Sequence, residues 1–206
     1  MRILDISREL QTCPLAPGCP SPRLERISDI GTGAVYHYTC LHASLHTATH
    51  CDAPLHFVRD GADITGVDLA RFVGPCLVMT ARQDRLLLPE DLEKVPAGVR
   101  RLLLRGEGNS YLSREAADTL ADRGIFTVGT DAFSIGAPSN DTEVHTALLS
   151  RGVAVIENLD LGHAEDGFYF LSAAPCKFGG AEAAFCRAVL LAGIPIEEEA
   201  YETEGK

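Results

Sequence analysis

The amino-acid sequence predicts a single α/β domain, and three observations support this fold class. With 206 residues, of which 46% are hydrophobic, the chain can bury one sizeable core but is too short for two full catalytic domains. Short runs rich in Val and Leu alternate with helix signals, an order typical of α/β folds. No internal repeat or linker interrupts this order. We therefore expect one domain over residues 1–196, followed by a frayed acidic tail over residues 197–206.

The first part of the chain is predicted to contain two strands with a loop between them. The first strand covers residues 2–6. Residues 13–22 are rich in proline and glycine, so they can form only turns and extended backbone. In residues 33–45, apolar and polar side chains alternate as in a half-buried strand. This alternation predicts a long strand that leads directly into a histidine-rich segment.

The rest of the chain is predicted to alternate between helices and buried strands. One helix begins after Ser113, whose hydroxyl suits an N-cap, and ends at Gly124. A second helix begins near Asp141 or Thr142 and stops at Gly152. Apolar runs between and around these helices predict further strands: residues 76–81, 99–104, 125–129, 153–156, 168–173 and 188–191.

Charge and composition argue against several classes of partner. The formal net charge is -11 and the 18 Lys and Arg residues form no stripe, which argues against nucleic acid. No segment reaches the roughly 18 apolar residues that span a bilayer, and the N-terminus lacks the apolar run of a secretion signal. The seven cysteines are odd in number and irregularly spaced, which is typical of reduced thiols. We therefore expect a cytoplasmic protein that binds neither nucleic acid nor membrane.

A short segment gathers four groups that commonly bind metal ions in hydrolytic sites. His46, His50, Asp52 and His56 lie within eleven residues, and three of the seven histidines of the chain are among them. Imidazole nitrogens and carboxylate oxygens are the ligands that hold zinc, manganese or iron in such sites. A chance grouping of surface histidines is the alternative for any one of them, but four together favour a metal site.

The spacing of the four groups also restricts the backbone. On a helix of about 3.6 residues per turn, His46 and His50 share a face while Asp52 points nearly the opposite way. On a strand, a rise of about 3.3 Å per residue separates the Cα atoms of His46 and His50 by roughly 13 Å. The chain must therefore turn within the motif, through residues 47–49, and Pro54 prevents its return to a central strand. Cys51 then points away from both neighbours, and we interpret it as a packing residue.

The segment resembles the His-x-Gly-Thr-His-x-Asp-x-Pro-x-His signature of the cyclase family, whose best-known members are bacterial kynurenine formamidases. Related members hydrolyse isatin. The resemblance extends over most of the chain and is carried outside the motif by Leu4-Asp5-Ile6-Ser7, Asp60-Gly61, Phe72-Val73-Gly74-Pro75, Gly129-Thr130-Asp131, residues 141–145, residues 153–161 and residues 174–187.

This resemblance implies a role for each group of the motif. It implies that His46, His50 and Asp52 bind metal, with the aspartate bridging two ions where two are present, and that His56 acts as catalytic acid and base. A distant histidine and a glutamate twelve residues later complete a second metal site in the family. His145 and Glu157 have that spacing here, the first in a predicted helix and the second at the end of a predicted strand. The implied cofactors are one or two divalent ions, Zn²⁺ first and Mn²⁺ second.

The resemblance also implies a fold, an assembly and an activity. The fold is a swivelling β/β/α arrangement in which a mixed sheet is partly rolled into a barrel with helices outside, and the assembly is a homodimer or homotetramer. The implied activity is hydrolysis of a small amide substrate, with N-formylkynurenine, an intermediate of tryptophan catabolism, as the first candidate. The alternatives are a hydrolase of isatin or another cyclic amide or imide, and a non-catalytic protein that binds metal or a small molecule.

Two departures from the family pattern bear on these alternatives. Ala48 occupies the position of the signature glycine, and a positive φ there would strain an alanine by roughly 1 kcal/mol. The kynurenine formamidases have a tryptophan before an N-terminal Pro-Gly pair, whereas this chain has Ala16 and contains no tryptophan. The missing aromatic platform favours the cyclic-amide alternative.

Two further features lead to predictions outside the motif. Gly106-Glu107-Gly108 lacks a third glycine and a following lysine, so it is interpreted as a turn rather than a phosphate-binding loop. Asp131 ends a predicted strand, where it either supports the site from behind the ligands or stabilises a turn.

Overall fold

The computed structural model describes residues 1–195, and these residues form one mixed sheet, a separate two-stranded sheet and two α-helices. The helices are α1 (Arg114–Asp122) and α2 (Asp141–Leu149). The strands are β1 (Arg2–Asp5), β2 (Arg23–Ser28), β3 (Tyr38–His42), β4 (His50–Asp52), β5 (Val73–Thr80), β6 (Arg101–Arg105), β7 (Thr127–Thr130), β8 (Ala154–Glu157), β9 (Gly167–Ser172), β10 (Ala183–Phe185) and β11 (Val189–Ala192).

The main sheet has a parallel centre with antiparallel strands on both sides. Its order is β1-β11-β9-β5-β6-β7-β8-β4-β10, and β5 to β8 run parallel. The crossovers from β6 to β7 and from β7 to β8 carry α1 and α2, which is the βαβ arrangement that parallel strands require. The sheet is curled, so the predicted α/β fold with a partly rolled mixed sheet and outer helices is confirmed.

Two hydrophobic clusters cover the two faces of this sheet. One packs both helices against β6, β7 and β8, and the other joins β4, β5, β9 and β11. Helix α1 begins as predicted, because the Ser113 Oγ accepts a hydrogen bond from the backbone N of Ala116 at 3.1 Å. Gly124 follows the helix with φ +72°, a conformation that favours glycine. The parallel strands β5 to β8 are thus packed on both faces, and their carboxyl ends lie at one edge of the sheet.

The prediction of a long strand over residues 33–45 is wrong. Strand β3 covers only Tyr38–His42 and pairs with β2 in the separate two-stranded sheet, a hairpin that we call the arm (residues 23–42). The side chain of Val35 is 91% exposed. Alternation showed that the two faces of this segment differ, but it could not show that neither face is covered by the core. Strands β2, β4 and β10 were not predicted.

The predicted acidic tail, residues 197–206, lies outside the described residues, and the domain boundary at residue 196 stays a prediction. Within residues 1–195, neither helix has the length and apolar character needed to cross a bilayer.

Candidate metal centre

Sheet topology brings the predicted site residues together from three parts of the chain. Strand β4 lies between β8 and β10, and its register sets His50 opposite Glu157. Helix α2 carries His145 over the same edge, where its side chain is 2% exposed. His46 approaches from the turn that precedes β4. Residues that are far apart in the sequence therefore surround the carboxylate of Asp52.

The turn between His46 and His50 has the geometry that the spacing requires. Ala48 has φ +56°, and its carbonyl oxygen lies 2.9 Å from the Nδ1 of His50. The hydroxyl of Thr49 donates a hydrogen bond to the backbone oxygen of Asn158 at 2.6 Å. Because alanine in the left-handed region costs about 1 kcal/mol, the turn holds Ala48 in a strained conformation. The prediction that the chain turns inside the motif is confirmed, and the side chain of Cys51 is directed to Ala173.

A first group of possible ligands consists of His46, His50 and Asp52. The Oδ1 of Asp52 lies 3.3 Å from the Nδ1 of His46 and 3.5 Å from the Nε2 of His50. These two imidazole nitrogens are themselves 3.2 Å apart. One ligand atom from each residue lies within 4.8 Å of the others, a separation that one ion can bridge.

A second group shares Asp52 with the first and adds His145 and Glu157. The Oδ2 of Asp52 lies 3.6 Å from the Nε2 of His145, which is 3.1 Å from the Oε1 of Glu157. The Oε2 of Glu157 lies 3.4 Å from the Nε2 of His50. The two oxygens of Asp52 thus face different groups, and Asp52 belongs to both.

The state of Asp52 tests whether these residues fit a metal ion. Its side chain is fully buried, and among residues 1–195 neither carboxylate oxygen accepts a hydrogen bond. Such a carboxylate is strongly destabilising unless a cation neutralises it. The site therefore fits a divalent cation bound by imidazole and carboxylate groups.

The outer contacts of the histidines turn one nitrogen of each ring towards Asp52. His50 can donate from Nδ1 to the Ala48 oxygen, and His145 from Nδ1 to the Asp141 oxygen at 3.1 Å. His46 can donate from Nε2 to the Oε1 of Glu182 at 3.2 Å. A histidine that donates from one ring nitrogen keeps a lone pair on the other, which is how outer-shell partners orient metal ligands.

The acidic groups also control protonation of the histidines. Although burial opposes a positive charge, the carboxylates of Asp52 and Glu157 raise the pKa of His50 to about 9. Burial is likewise outweighed at His145, where Asp141, Asp52 and Glu157 raise the pKa to about 12. The cluster thus attracts positive charge, and protons compete with metal ions for the same nitrogens.

His56 lies beside these groups but belongs to neither. It ends a short turn of 3-10 helix, Pro54–His56, and its ring stacks on that of His46 at a centroid distance of 4.3 Å. Burial lowers its pKa, and the neighbouring charges on His46 and His145 lower it further while Asp52 opposes them. The next residue, Phe57, stacks on His145 at 4.6 Å. His56 is therefore a neutral imidazole at the border of the cluster near neutral pH.

Sequence reasoning missed three contributors to this site. Asp141 lies four residues before His145 on a helix, and this spacing could have indicated the contact. Phe57 follows the motif directly, but the sequence does not show that its ring lies against His145. Glu182 is 136 residues from His46 and is brought near by the pairing of β10 with β4, for which the sequence gives no local signal.

Asp131 supports a loop rather than the metal groups. Its carboxylate accepts hydrogen bonds of 3.0 to 3.2 Å from the backbone N–H groups of Gly106, Glu107 and Gly108. The glycine pair is thus a turn closed by a carboxylate, and of the two roles open to Asp131 the structure shows the turn-stabilising one.

Comparisons with known proteins agree with this fold. A kynurenine formamidase of Delftia acidovorans is 35% identical over 207 residues, which covers 93% of this chain and 98% of the relative. A solved structure described as a potential metal-dependent hydrolase with cyclase activity is 28% identical, with a TM-score of 0.80, and covers 94% of this chain and 99% of its own. Isatin hydrolase A from Labrenzia aggregata shares the fold with a TM-score of 0.77 at 24% identity, over 92% of this chain and 93% of its own. The Cyclase family model matches residues 4–137, and the chain belongs to this family.

Proposed function

We propose that this protein is a metal-dependent hydrolase of a small amide-type bond, with N-formylkynurenine as the first candidate substrate and kynurenine and formate as its products. One observation carries the proposal: two groups of possible ligands share the carboxylate of Asp52, which is buried and accepts no hydrogen bond from the described residues. The alignment with the kynurenine formamidase of Delftia acidovorans covers 98% of that relative's length at 35% identity, which supports the arylformamidase-like class.

In this proposal, His46, His50 and Asp52 hold one divalent ion, and Asp52, His145 and Glu157 hold a second. When bound, such an ion supplies Lewis acidity, which polarises a carbonyl group and lowers the pKa of water. The side chain of Glu157 is fixed by the backbone N–H of Ile135, which donates to its Oε1 at 2.9 Å. Outer contacts of this kind keep the ligands in one geometry through the reaction.

His56 is proposed to move the proton. Because its pKa lies below the ordinary value, its imidazole is neutral near pH 7 and can accept a proton from the attacking water. The resulting imidazolium can then donate that proton to the nitrogen of the leaving arylamine. The stacked ring of His46 holds His56 in place, since their centroids are 4.3 Å apart.

Removal and return of metal tests the proposal directly. The protein is dialysed against a chelator, and formanilide hydrolysis is measured before dialysis, after it, and after titration with Zn²⁺ or Mn²⁺. We expect activity to disappear with the metal and to return at a ratio of one or two ions per chain. Metal binding with no hydrolysis of formanilide, isatin or N-formylkynurenine would instead support the non-catalytic alternative.

A second candidate, hydrolysis of isatin or another cyclic amide, is favoured by one observation. The chain contains no tryptophan and has Ala16 where the kynurenine formamidases have one. A smaller side chain there leaves the arylamine without a stacking surface. The ratio of kcat/KM for isatin to that for formanilide, measured on the same metal-loaded sample, decides between the two.

The finer points of the proposal are the native metal, the assembly and the cellular location. Sites of His and carboxylate accept both zinc and manganese, and zinc is proposed first. A homodimer or homotetramer is supported by exposed large apolar side chains on the arm: Leu24, Ile27, Ile30, Val35, Tyr36, Tyr38 and Leu41. The cytoplasm is the proposed location.

A further inference from the structure

Arg8 is a partly buried cation near the metal centre that has too few partners. It follows β1, and its backbone N–H donates to the hydroxyl of Thr49 at 2.9 Å. Its Nη2 donates to the backbone oxygen of Asp131 at 3.1 Å. Its Nε is buried and has no hydrogen-bond partner among residues 1–195. Since a guanidinium carries five N–H donors, most of the donor capacity of Arg8 is unused in this part of the chain.

No carboxylate neutralises this guanidinium within 4.0 Å in the described part of the chain, although the protein is acidic. Several other arginines are paired with a carboxylate, as Arg105 is with Asp166 at 3.0 Å. The neighbouring Asp131 offers Arg8 only its backbone oxygen, because its carboxylate is bound by the amides of the 106–108 loop. Partly buried charges normally have a partner, so the surroundings of Arg8 suit an anion from outside the chain.

A cavity of about 310 Å³ adjoins Arg8 and has the lining that such an anion requires. Asn109 and Asn158, which carry amide groups, line it together with Arg8, and so does Phe133, which is 37% exposed. The volume is at the lower end of the range for small-molecule sites, roughly 300 to 1,000 Å³. A guanidinium and two amides beside an aromatic ring suit a carboxylate attached to a flat ring.

The acidic residues of the same cavity narrow the class of ligand. Glu107 is exposed and lines the cavity, as does Asp131. Their negative charge opposes a phosphate dianion more strongly than a single carboxylate. Two neighbouring cavities also adjoin Arg8, but their linings include Asp5 paired with Arg187 in one and Asp160 in the other, and neither includes the two amides. The cavity with Phe133 is therefore the best candidate.

Two residues beside Arg8 and its cavity are direct sequence neighbours of possible metal ligands. Thr49, which binds the backbone of Arg8, precedes the possible ligand His50. Asn158, which lines the cavity, follows the possible ligand Glu157. We propose that Arg8 and the surrounding cavity form a binding site for a small aromatic monocarboxylate. The carboxylate belongs either to the substrate or product of the metal centre, a case that rests on the proposed function, or to a separate ligand.

Benzoate is the probe for this site, and benzamide is its neutral counterpart. Binding is measured by isothermal titration calorimetry to the wild-type protein, to Arg8→Gln, and to the control Arg2→Gln, which removes a positive charge from an exposed position. We expect benzoate affinity to fall by about tenfold or more in Arg8→Gln and to be unchanged in Arg2→Gln, because a charge-assisted pair is lost only in the first. Benzamide should bind more weakly than benzoate to the wild type and to Arg2→Gln, whereas Arg8→Gln should bind the two compounds about equally.

Equal benzoate affinity in the wild type and Arg8→Gln, or no benzoate binding by the wild type, would overturn the proposal. Should Arg8→Gln fail to fold, Phe133→Ala serves as the second variant, and its benzoate affinity must fall as well. Arg8→Lys should give an intermediate affinity, since it keeps the charge but loses the planar pair of donors.

Kinetics then distinguish the two sources of the carboxylate. If it belongs to the substrate, Arg8→Gln raises KM for N-formylanthranilate but not for formanilide, and benzoate competes with N-formylanthranilate. If it belongs to a separate ligand, benzoate binds without competition. Loss of the proposed function would appear as absence of hydrolysis of both substrates, whereas failure of the Arg8 site would appear in the calorimetry alone.

Discussion

A buried carboxylate and a partly buried guanidinium both lie beside the turn at residues 47–49. The carboxylate of Asp52 is surrounded by histidine nitrogens at 3.3 to 3.6 Å and accepts no hydrogen bond from residues 1–195. The guanidinium of Arg8, in contrast, donates to a backbone oxygen, and its Nε is unpartnered in that same range. The sign of each charge indicates the class of partner that it lacks. Asp52 fits a cation, and Arg8 fits an anion.

The largest effect is expected from Asp52→Asn, which removes the negative charge of the buried carboxylate. An amide cannot bridge two cations as a carboxylate does, so both groups lose their shared ligand. We expect metal affinity to fall by more than about 100-fold, the upper range for outer-shell changes, and hydrolysis to fall with it. Metal content by mass spectrometry and the metal-induced rise in melting temperature measure the loss.

The exposed Asp84 provides a matched control, since Asp84→Asn removes one charge from a residue that belongs to neither group of possible ligands. If Asp52→Asn kept two ions per chain, the carboxylate would not be the bridge. Benzoate affinity at Arg8 should be nearly the same in both variants, because the two charges act on different ligands.

The two regions also differ in how far the sequence could predict them. The metal centre was found because His46, His50 and Asp52 are close in the chain, and because the family resemblance added His145 and Glu157. Glu182 was missed since only the pairing of β10 with β4 brings it near. The fold class was predictable from the alternation of strands and helices, but the arm was not, because periodicity does not show what covers a face.

Arg8 could not be found from sequence at all. A lack of partners depends on where every nearby carboxylate points, and Asp131 is 123 residues away along the chain. Its carboxylate is bound by the 106–108 loop only because the ends of β6 and β7 are adjacent in the sheet. Unpaired charge is therefore a property of the tertiary structure, whereas a ligand motif is partly a property of the sequence.

His56→Ala is expected to have the next largest effect. It tests whether proton transfer by His56 can be separated from metal binding by the other five residues. The variant loses the group that moves the proton but keeps all five possible ligands, so metal content should be unchanged. We expect kcat to fall by about 10² to 10⁴, the usual contribution of general acid–base catalysis. His163→Ala, which removes an exposed histidine, should have wild-type kcat. Full activity in His56→Ala would remove His56 from the mechanism.

The pH dependence of metal binding gives a smaller effect. The carboxylates outweigh burial and raise the pKa of His50 to about 9, so below that pH a metal ion must displace a proton. Metal affinity should therefore rise with pH, by about tenfold per pH unit for each proton released. The contribution of His50 ends at about pH 9, whereas that of His145, whose pKa is raised to about 12, continues above it. Competition with a chelator of known affinity at several pH values measures the slope. A flat profile for the metal would show that His50 does not lose a proton on binding.

The smallest effect is expected from Ala48→Gly, which changes the turn that joins the two regions. At φ +56°, alanine is strained by about 1 kcal/mol, and glycine would relieve this strain. Glycine also gives the unfolded chain more freedom, which costs about 0.4 to 1 kcal/mol. The two contributions nearly cancel, so the free energy of unfolding should change by less than about 0.5 kcal/mol, measured by urea denaturation of the metal-free protein.

Ala53→Gly is the matched comparison for this variant, since Ala53 is buried and has φ -101°. There the glycine relieves no strain, so it should destabilise the protein by about 1 kcal/mol. A clear destabilisation by Ala48→Gly as well would mean that the methyl group of Ala48 packs against its neighbours strongly enough to outweigh the strain. Metal and benzoate affinities should both stay within about twofold of the wild type in Ala48→Gly. The side chains of Thr49 and His50 make the contacts to Arg8 and to the metal groups, and Ala48 contributes only its backbone oxygen, which the glycine keeps.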